Sequence, residues 1–333
     1  IGEIQDFRSI QAIRVAFAGF TEQVTFRMIK LQLGRNTWRR YSTNVCEDFI
    51  DKYPLIVDKV DIEENSNKLP FHYLSPPGIQ REKLYSGQYS NLEVNEASLL
   101  LRKENLYPKC EQSVYKILDL DMRRYEKLKM FVHAESSTQI NKGDTKIFLR
   151  LGKDFTNNYY EYEIPLRMST PDAVSVSLKD SIWLSENSFD FPLSLLVDLK
   201  NERNKLNIPF DQEYVISDPA NPEHVVKIKG NPTLGLVRGA LIGFKNETQN
   251  IISDIEVWVN EFRLTGLEEK GGFAALARGE LTLSDLGNIS LAGNYSSVGW
   301  GGLDQKLEDR AIEEVVQYDA TTNLELGKFL PKK

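Results

Sequence analysis

Cysteine is nearly absent from this 333-residue chain: Cys46 and Cys110 are the only two. Two thiols do not build a disulfide framework, although they could pair in an oxidising compartment, and the sequence leaves that pairing open. Histidine is almost as scarce. His72, His133 and His224 stand far apart without Cys or acidic neighbours at ligand spacing, so no zinc motif is present. His133, inside the apolar run Met130–Ala134, reads as a hydrogen-bonded core or strand residue rather than a ligand. No apolar run approaches the length of a membrane-spanning helix. That does not exclude spanning strands, for which about 9–11 alternating residues suffice. Basic charge is not in surplus, since 48 acidic residues face 41 basic ones for a net charge of −7; a nucleic-acid surface is not expected. The chain opens with Ile1, and no charged stretch leading into an apolar one reads as a signal peptide. The expectation is a segment of a larger protein whose address signal lies elsewhere.

Catalytic signatures are missing too: there is no GxSxG, CxxC, HExxH or phosphate-loop motif. The glycine clusters Gly271–Gly272 and Gly299–Gly302 lack the Lys-Ser/Thr that phosphate binding needs, and read as turns. Carboxylates are plentiful (Glu161, Glu163, Asp180, Asp254, Glu256, Glu261), but nothing singles out the two that a glycosidase would use. A solvated strand face is the expectation for them. Neither an enzyme, a cofactor nor a metal site is expected.

What is present is an internal repeat. FRSIQAIRVAFAGFTEQVTFRMIKLQL (Phe7–Leu33) is matched by NPTLGLVRGALIGFKNETQNIISDIEVWVNEFRL (Asn231–Leu264). Arg14 aligns with Arg238, Gly19 with Gly243 and Phe20 with Phe244; Val24, Phe26 and Met28 match Ile255, Val257 and Val259. In both copies the alternation then slips by one, resuming at Leu31 and Leu33 or at Phe262 and Leu264. A shared slip of a period-two pattern predicts a shared β-bulge. Each copy is expected to form the last hairpin of a sandwich, the first of them truncated.

Further strands are predicted at Tyr115–Leu120, Leu128–Glu135, Thr145–Leu151 and Tyr159–Leu166, with a turn over Gly152–Asn158. A helix is predicted over Phe191–Leu206, with Leu193, Leu196 and Leu199 or Lys200 on its packing face. Asp58–Lys83 and Asn207–Glu223 read as linkers or long loops. Tyr159, Tyr160 and Tyr162 allow two readings, cross-strand packing or an exposed platform for glycan or partner contact.

After Leu267 the residues become smaller. Phe273, Ala275, Ala277, Gly279, Leu281 and Leu283 fall on one side, with Arg278, Glu280, Thr282 and Ser284 on the other. Beyond a turn at Ser284–Asn288, Ile289, Leu291, Gly293 and Tyr295 alternate with Ser290, Asn294 and Ser296. By periodicity alone this is either a transmembrane barrel hairpin with its apolar face in lipid or an amphipathic hairpin on a soluble protein.

Several blocks of the sequence, in order along the chain, resemble the SprA/Sov family: SIQAIRVAFAGFTEQVTFRMIKLQLGRNTWRRY, PPGIQREKLY, RRYEKLKMFVHAE, GKDFTNNYYEYEIPL, GNPTLGLVRGALIGFKN, IEVWVNEFRLTGLEEKGGFAALAR and TNLELGKFLPKK. Met168–Ser181 and Asn207–Glu223 match it least. The resemblance implies a part of the outer-membrane translocon of type IX secretion and gliding motility. Such a protein passes folded cargo bearing C-terminal sorting domains, with barrel-associated and plug proteins as partners. It offers no catalytic residues to transfer. The barrel-wall face would then be Phe273, Ala275, Ala277, Leu281, Leu283, Ile289, Leu291 and Tyr295, in contact with outer-membrane lipid. The sandwiches would stand in the periplasm or at the cell surface. The expected organisation is all-β: a terminal hairpin of a truncated sandwich (1–45), linker and connecting segments (46–112), a complete jelly-roll-like sandwich with one helix (113–267), a barrel-type hairpin (268–300) and a loop or tail (301–333). The alternative from another class is a surface carbohydrate-binding or adhesion β-sandwich module.

Overall fold

The computed structural model describes residues 21, 25, 38–41, 54–81, 83–86, 89–171, 179–268, 271–305 and 310–329. The chain divides into two compact units, Ile1–Asn36 and Thr37–Lys333, and the elements below belong to the second. In chain order they begin with β1 (Arg39–Tyr41), β2 (Ile56–Asp61), the short α1 (Ile62–Asn65), β3 (Lys83–Ser86), β4 (Tyr89–Glu93) and β5 (Ala97–Leu106). Next come β6 (Glu111–Leu120), β7 (Tyr125–Ser136), β8 (Thr145–Gly152), β9 (Tyr159–Pro165), α2 (Lys179–Ile182), β10 (Phe189–Pro192) and α3 (Ser194–Lys205). The last are β11 (Tyr214–Ser217), β12 (Val225–Lys229), β13 (Val237–Asn246), β14 (Ile252–Leu267), β15 (Ala274–Thr282), β16 (Gly287–Ser296) and β17 (Val315–Leu324).

The fold is all-β, built of antiparallel sheets. A seven-stranded sheet has the order β1-β6-β13-β8-β9-β12-β11, and a five-stranded sheet the order β10-β7-β14-β5-β2. Alternate residues on one face of each are apolar, as a pleated strand with one face in a core requires. Ile147, Leu149, Tyr160, Tyr162, Ile242 and Phe244 of the larger sheet share one buried cluster with Leu101, Met130, Val132, Val257 and Val259 of the smaller. The chain switches between these sheets repeatedly from β5 to β14, so most pairings are distant in sequence.

The described copy of the repeat, Asn231–Leu264, forms strands β13 and β14, but they do not pair with each other. β13 lies between β6 and β8, and β14 between β5 and β7. The expected hairpin is therefore a crossing from one sheet to the other: periodicity identifies a strand but carries no information about its partner. The predicted bulge is present, as a register shift between Asn260 and Arg263. The other copy, Phe7–Leu33, lies outside the described residues.

The segments read as linkers hold more structure than expected. Within 46–112, β5 is a ten-residue strand paired with both β14 and β2, so the two-sheet body does not begin at 113. Its pattern, ASLLLRKENL, gives no clean alternation because both faces are covered: Leu101 enters the central cluster and Leu100 a second one. Asp58–Lys83 includes β2 and α1 and supplies Phe71 and Tyr73 to that second cluster, with Ile182, Trp183 and Trp258. These residues cover the outer face of the five-stranded sheet singly, which leaves no period to read. β11 lies within Asn207–Glu223.

The helix predicted over Phe191–Leu206 begins later, at Ser194, because Phe191 and Pro192 belong to β10, opposite Leu128 and Lys127. Leu196, Leu199 and Arg203 face inward. The turn at Gly152–Asn158 forms around Asp154, whose carboxylate accepts N–H bonds from Thr156, Asn157 and Asn158. Cys110 is buried and disulfide-bonded; the chain's other cysteine, Cys46, lies outside the described residues. No helix among the described residues is long and apolar enough to cross a membrane.

Candidate functional site

β15, β16 and β17 form a separate three-stranded sheet. Its register follows from the alternation. Ala275 lies opposite Tyr295, Ala277 opposite Gly293, Gly279 opposite Leu291 and Leu281 opposite Ile289. Directly opposed residues share a face, so the sequence-predicted apolar residues of the two strands do meet on one side. Phe273, just before β15, reaches the ring of Tyr295, 5.3 Å between centroids. Leu283 lies beyond the end of β15, in the turn.

The third strand, β17, falls in the 301–333 segment expected to be a loop or tail. It extends the same face with Val316 opposite Tyr295, Tyr318 opposite Gly293, Ala320 opposite Leu291 and Leu324 opposite Gly287. The signal that could have found it is weak but present: Val316, Tyr318 and Ala320 alternate with Gln317, Asp319 and Thr321. Threonine at 322 and a single large ring blur the apolar side.

This face is open to solvent. Phe273 is 63% exposed, Leu281 57% and Tyr318 88%. The opposite face carries Arg278, Glu280, Ser290, Asn294, Gln317 and Asp319, with Ala274, Leu276, Ala292 and Val315 as apolar exceptions. Arg278 and Glu280 are paired at 2.9 Å. The outer edges of β15 and β17 have no ladder partner among the described residues. Exposed apolar sheet faces with open edges are prone to association in water.

The ends of the sheet differ. β15 and β16 are joined by the tight turn at 283–286, which contains the 3-10 turn Ser284–Leu286. β16 and β17 are joined by the much longer 297–314. Phe273, Tyr295 and Trp300 gather at the long-loop end, where Phe273 and Ser297 exchange two hydrogen bonds of 2.9 Å. The two-sheet body meets the sheet at this end. Arg123, just before β7, reaches Glu313, just before β17, at 3.2 Å.

Tyr159, Tyr160 and Tyr162 are elsewhere, on β9, and are withdrawn from solvent at 3%, 2% and 2% exposure. Tyr162 stacks on Phe191 at 4.1 Å and an angle of 5°. Its hydroxyl donates to Asp218 at 2.5 Å and lies 3.0 Å from His224 Nδ1. Tyr160 donates to Pro232 O at 3.3 Å. Tyr159 is on the other face, under the Arg150 guanidinium and bonded to Glu213. A glycan platform needs open ring faces, and these rings are packed. β9 is an interior strand between β8 and β12, so its Tyr/Glu alternation does not mark a wet and a dry side.

The same reason corrects the solvated carboxylate face. Glu161 and Glu163 are buried and held by cations. Arg150 pairs with Glu161 at 2.5 Å, Lys227 contacts both, and Lys245 pairs with Glu163 at 2.7 Å. Burial alone would raise the Glu161 carboxyl, but Arg150 and Lys227 bring it below the usual range. His133 is a core residue, fully buried, with Nδ1 2.8 Å from Ile182 O.

No curated protein matches the chain. The family model for SprA_N, described as a motility related/secretion protein, matches residues 1–333, so the chain belongs to that family and has a motility- or secretion-related role.

Proposed function

We propose that the chain is a structural, non-enzymatic part of an outer-membrane protein-export translocon, of the kind used in type IX secretion and gliding motility. The observation that carries the reading is the three-stranded sheet: one mostly apolar face, one mostly polar face, and two outer edges without a ladder partner among the described residues. Ten residues at about 3.4 Å each span roughly 34 Å. Tilted as barrel strands are, they cover about 25 Å, the height of the apolar band of an outer-membrane barrel. In this reading β15–β17 are barrel wall, neighbouring strands complete both edges, and lipid covers Phe273, Leu281, Leu291 and Tyr318.

The two-sheet body is then a jelly-roll-like sandwich at one mouth of the pore. Outer-membrane barrels have short periplasmic turns and longer outer loops. The tight 283–286 turn lies at the other end of the strands from the body, while Glu313 of the longer connection reaches Arg123 of the body, which supports a position at the cell-surface end. Phe273, Tyr295 and Trp300 gather at that end, as an interfacial aromatic girdle would. A disulfide at Cys110 fits an oxidising compartment. Partners would be other secretion subunits and exported proteins with C-terminal sorting domains. The carbohydrate-binding alternative loses its proposed stacking residues to the interior.

The test is deletion of the parent gene, with the outer membrane confirmed intact, followed by quantification of released and surface proteins. Periplasmic accumulation of proteins with C-terminal sorting domains is the expected result. Normal export with loss only of glycan or surface attachment would overturn the reading.

A further inference from the structure

The two large sheets end in four edge strands, β1, β11, β10 and β2. An edge strand presents a row of unpaired main-chain groups, and proteins usually blunt it with charge or proline. Three of the four are blunted in this way. β1 carries Arg39 and Arg40, β2 carries Asp58 and Lys59 at its centre, and β10 carries Asp190 and ends on Pro192. β11, the run Tyr214, Val215, Ile216 and Ser217, has neither charge nor proline. Apart from β12 it has no ladder partner among the described residues.

Which of its main-chain groups are free follows from the register. Asp218 N–H donates to His224 O at 3.0 Å, one step past the paired Ser217 and Val225. In an antiparallel pair, residues alternate between turning both main-chain groups to the partner and turning both away. Ile216 and Tyr214, two and four residues before Asp218, therefore bond to β12, while Val215 and Ser217 turn N–H and C=O outward. The edge is open: Val215 is 47% exposed, and Ser217 is exposed as well. The core beside it is unfinished. Val226 and Ile228 of β12 are fully buried, while their partners Ile216 and Tyr214 pack against the same cluster only half-buried.

We propose that β11 is a docking edge for an extended segment of another polypeptide, which adds to the seven-stranded sheet as a further strand. Its main chain exchanges hydrogen bonds with Val215 and Ser217, because an extended backbone offers donors and acceptors at their spacing. Its side chains alternate: apolar ones lie on the side of Tyr214 and Ile216 and close the core there, and the others share the outer side with Val215. Asp211 and Glu213, exposed just before β11, favour a lysine or arginine at the end of the segment beside them. A second copy of β11 would bring no such cation, because the strand has none.

The experiment titrates the full chain with the peptide acetyl-Lys-Val-Thr-Val-Thr-Val-Lys-amide, its valines meant for the core side and its lysines for the acidic flank. Affinity is read by heat, and amide hydrogen exchange locates the contact. Saturable binding is expected to slow exchange at Val215 and Ser217, whose amides are free in the chain alone. Exchange at Ile216, already bonded to β12, changes little. That pattern separates β11 from the open edges of β15 and β17, and protection confined to those edges overturns the proposal.

Two comparisons test the main-chain basis. A peptide N-methylated on its valines and one N-methylated on its threonines keep the same side chains, and each blocks the donors of one strand edge only. One of them is expected to lose affinity by about tenfold or more, while the other binds as the parent does. Val215→Pro removes an outward N–H and leaves the bonds to β12 in place, and it weakens the parent peptide similarly. Loss by both methylated peptides or by neither, unchanged affinity in Val215→Pro, or no saturable binding overturns the proposal. Protection of Val215 and Ser217 that rises with chain concentration without peptide, together with a doubled mass, overturns it in favour of self-pairing. Should Val215→Pro fail to fold, as judged by near-UV circular dichroism, the methylated peptides decide on the wild-type chain.

Discussion

Tyr162 is fixed at both ends, its ring on Phe191 and its hydroxyl on Asp218 and His224. Tyr162→Phe keeps the stacking and removes the donor from a buried Asp218, at a cost of about 1–3 kcal/mol. Tyr162→Ala also empties part of the core and costs about 3–5 kcal/mol. Denaturant unfolding of the two variants separates the terms: a Tyr162→Phe variant as stable as the wild type would mean that the hydroxyl contributes nothing, and equal losses in both would mean that the ring packing contributes nothing. Glu135 and His133 give stability a pH signature. Native Glu135, raised to about 7, keeps its proton where the unfolded carboxyl has lost it, so its contribution is full below about 4.5 and falls as pH rises to 7. Native His133, lowered to about 3, refuses a proton that the unfolded imidazole takes below about 6.5, so its contribution falls as pH drops. The two oppose each other between about pH 4.5 and 6.5. Glu135→Gln removes one of them, and its melting temperature should climb with pH across that window more steeply than the wild type's. An unchanged slope would sink this account.

At the scale of single elements, the repeat glycine has a steric reason. A side chain at Gly243 on β13 would meet Gln112 O and the Phe148 ring at about the same place, 2.5 and 2.6 Å away. Gly243→Val overpacks that position, and a loss of about 1–3 kcal/mol is expected in equilibrium unfolding. The three-stranded sheet gives a sharper contrast between its faces. If lipid covers the apolar side, Leu291→Arg costs about 2–4 kcal/mol near mid-membrane, while Ser290→Arg, one residue along on the polar face, costs little. The yield of heat-modifiable barrel in outer-membrane fractions reads the difference. Equal yields would show that the apolar face does not meet lipid.

For the whole molecule, the disposition of loops makes a prediction about sides. If the two-sheet body stands at the cell surface, a cysteine at exposed Lys142 is labelled by a membrane-impermeant maleimide in intact cells, and one at Asp285, in the tight turn, only after the outer membrane is opened. The reverse pattern would place the body in the periplasm. The body itself is a poor candidate for isolation as 113–267, because β5 from before that range pairs with β14 at the middle of the five-stranded sheet. Removing 54–112 should abolish cooperative unfolding, measured by near-UV circular dichroism, rather than merely trim a linker.

The sequence by itself determined what period two can carry: the all-β class, most strands from β6 to β16, the bulge near Val259 and the apolar side of β15 and β16. These follow from alternation and turn chemistry, which act within a few residues. Family membership was also legible, from long blocks in order. Strand partners were not, since β13 and β14 are neighbours in sequence yet belong to different sheets. Burial of Tyr159, Glu161 and Glu163 escaped because an interior strand can be covered on both faces, by core on one and by cations on the other. Phe71 and Tyr73 escaped because isolated residues in an aperiodic segment leave no pattern. Only the tertiary structure decided which distant strands lie side by side, and so which faces are enclosed, because burial is set by neighbours brought from elsewhere in the chain.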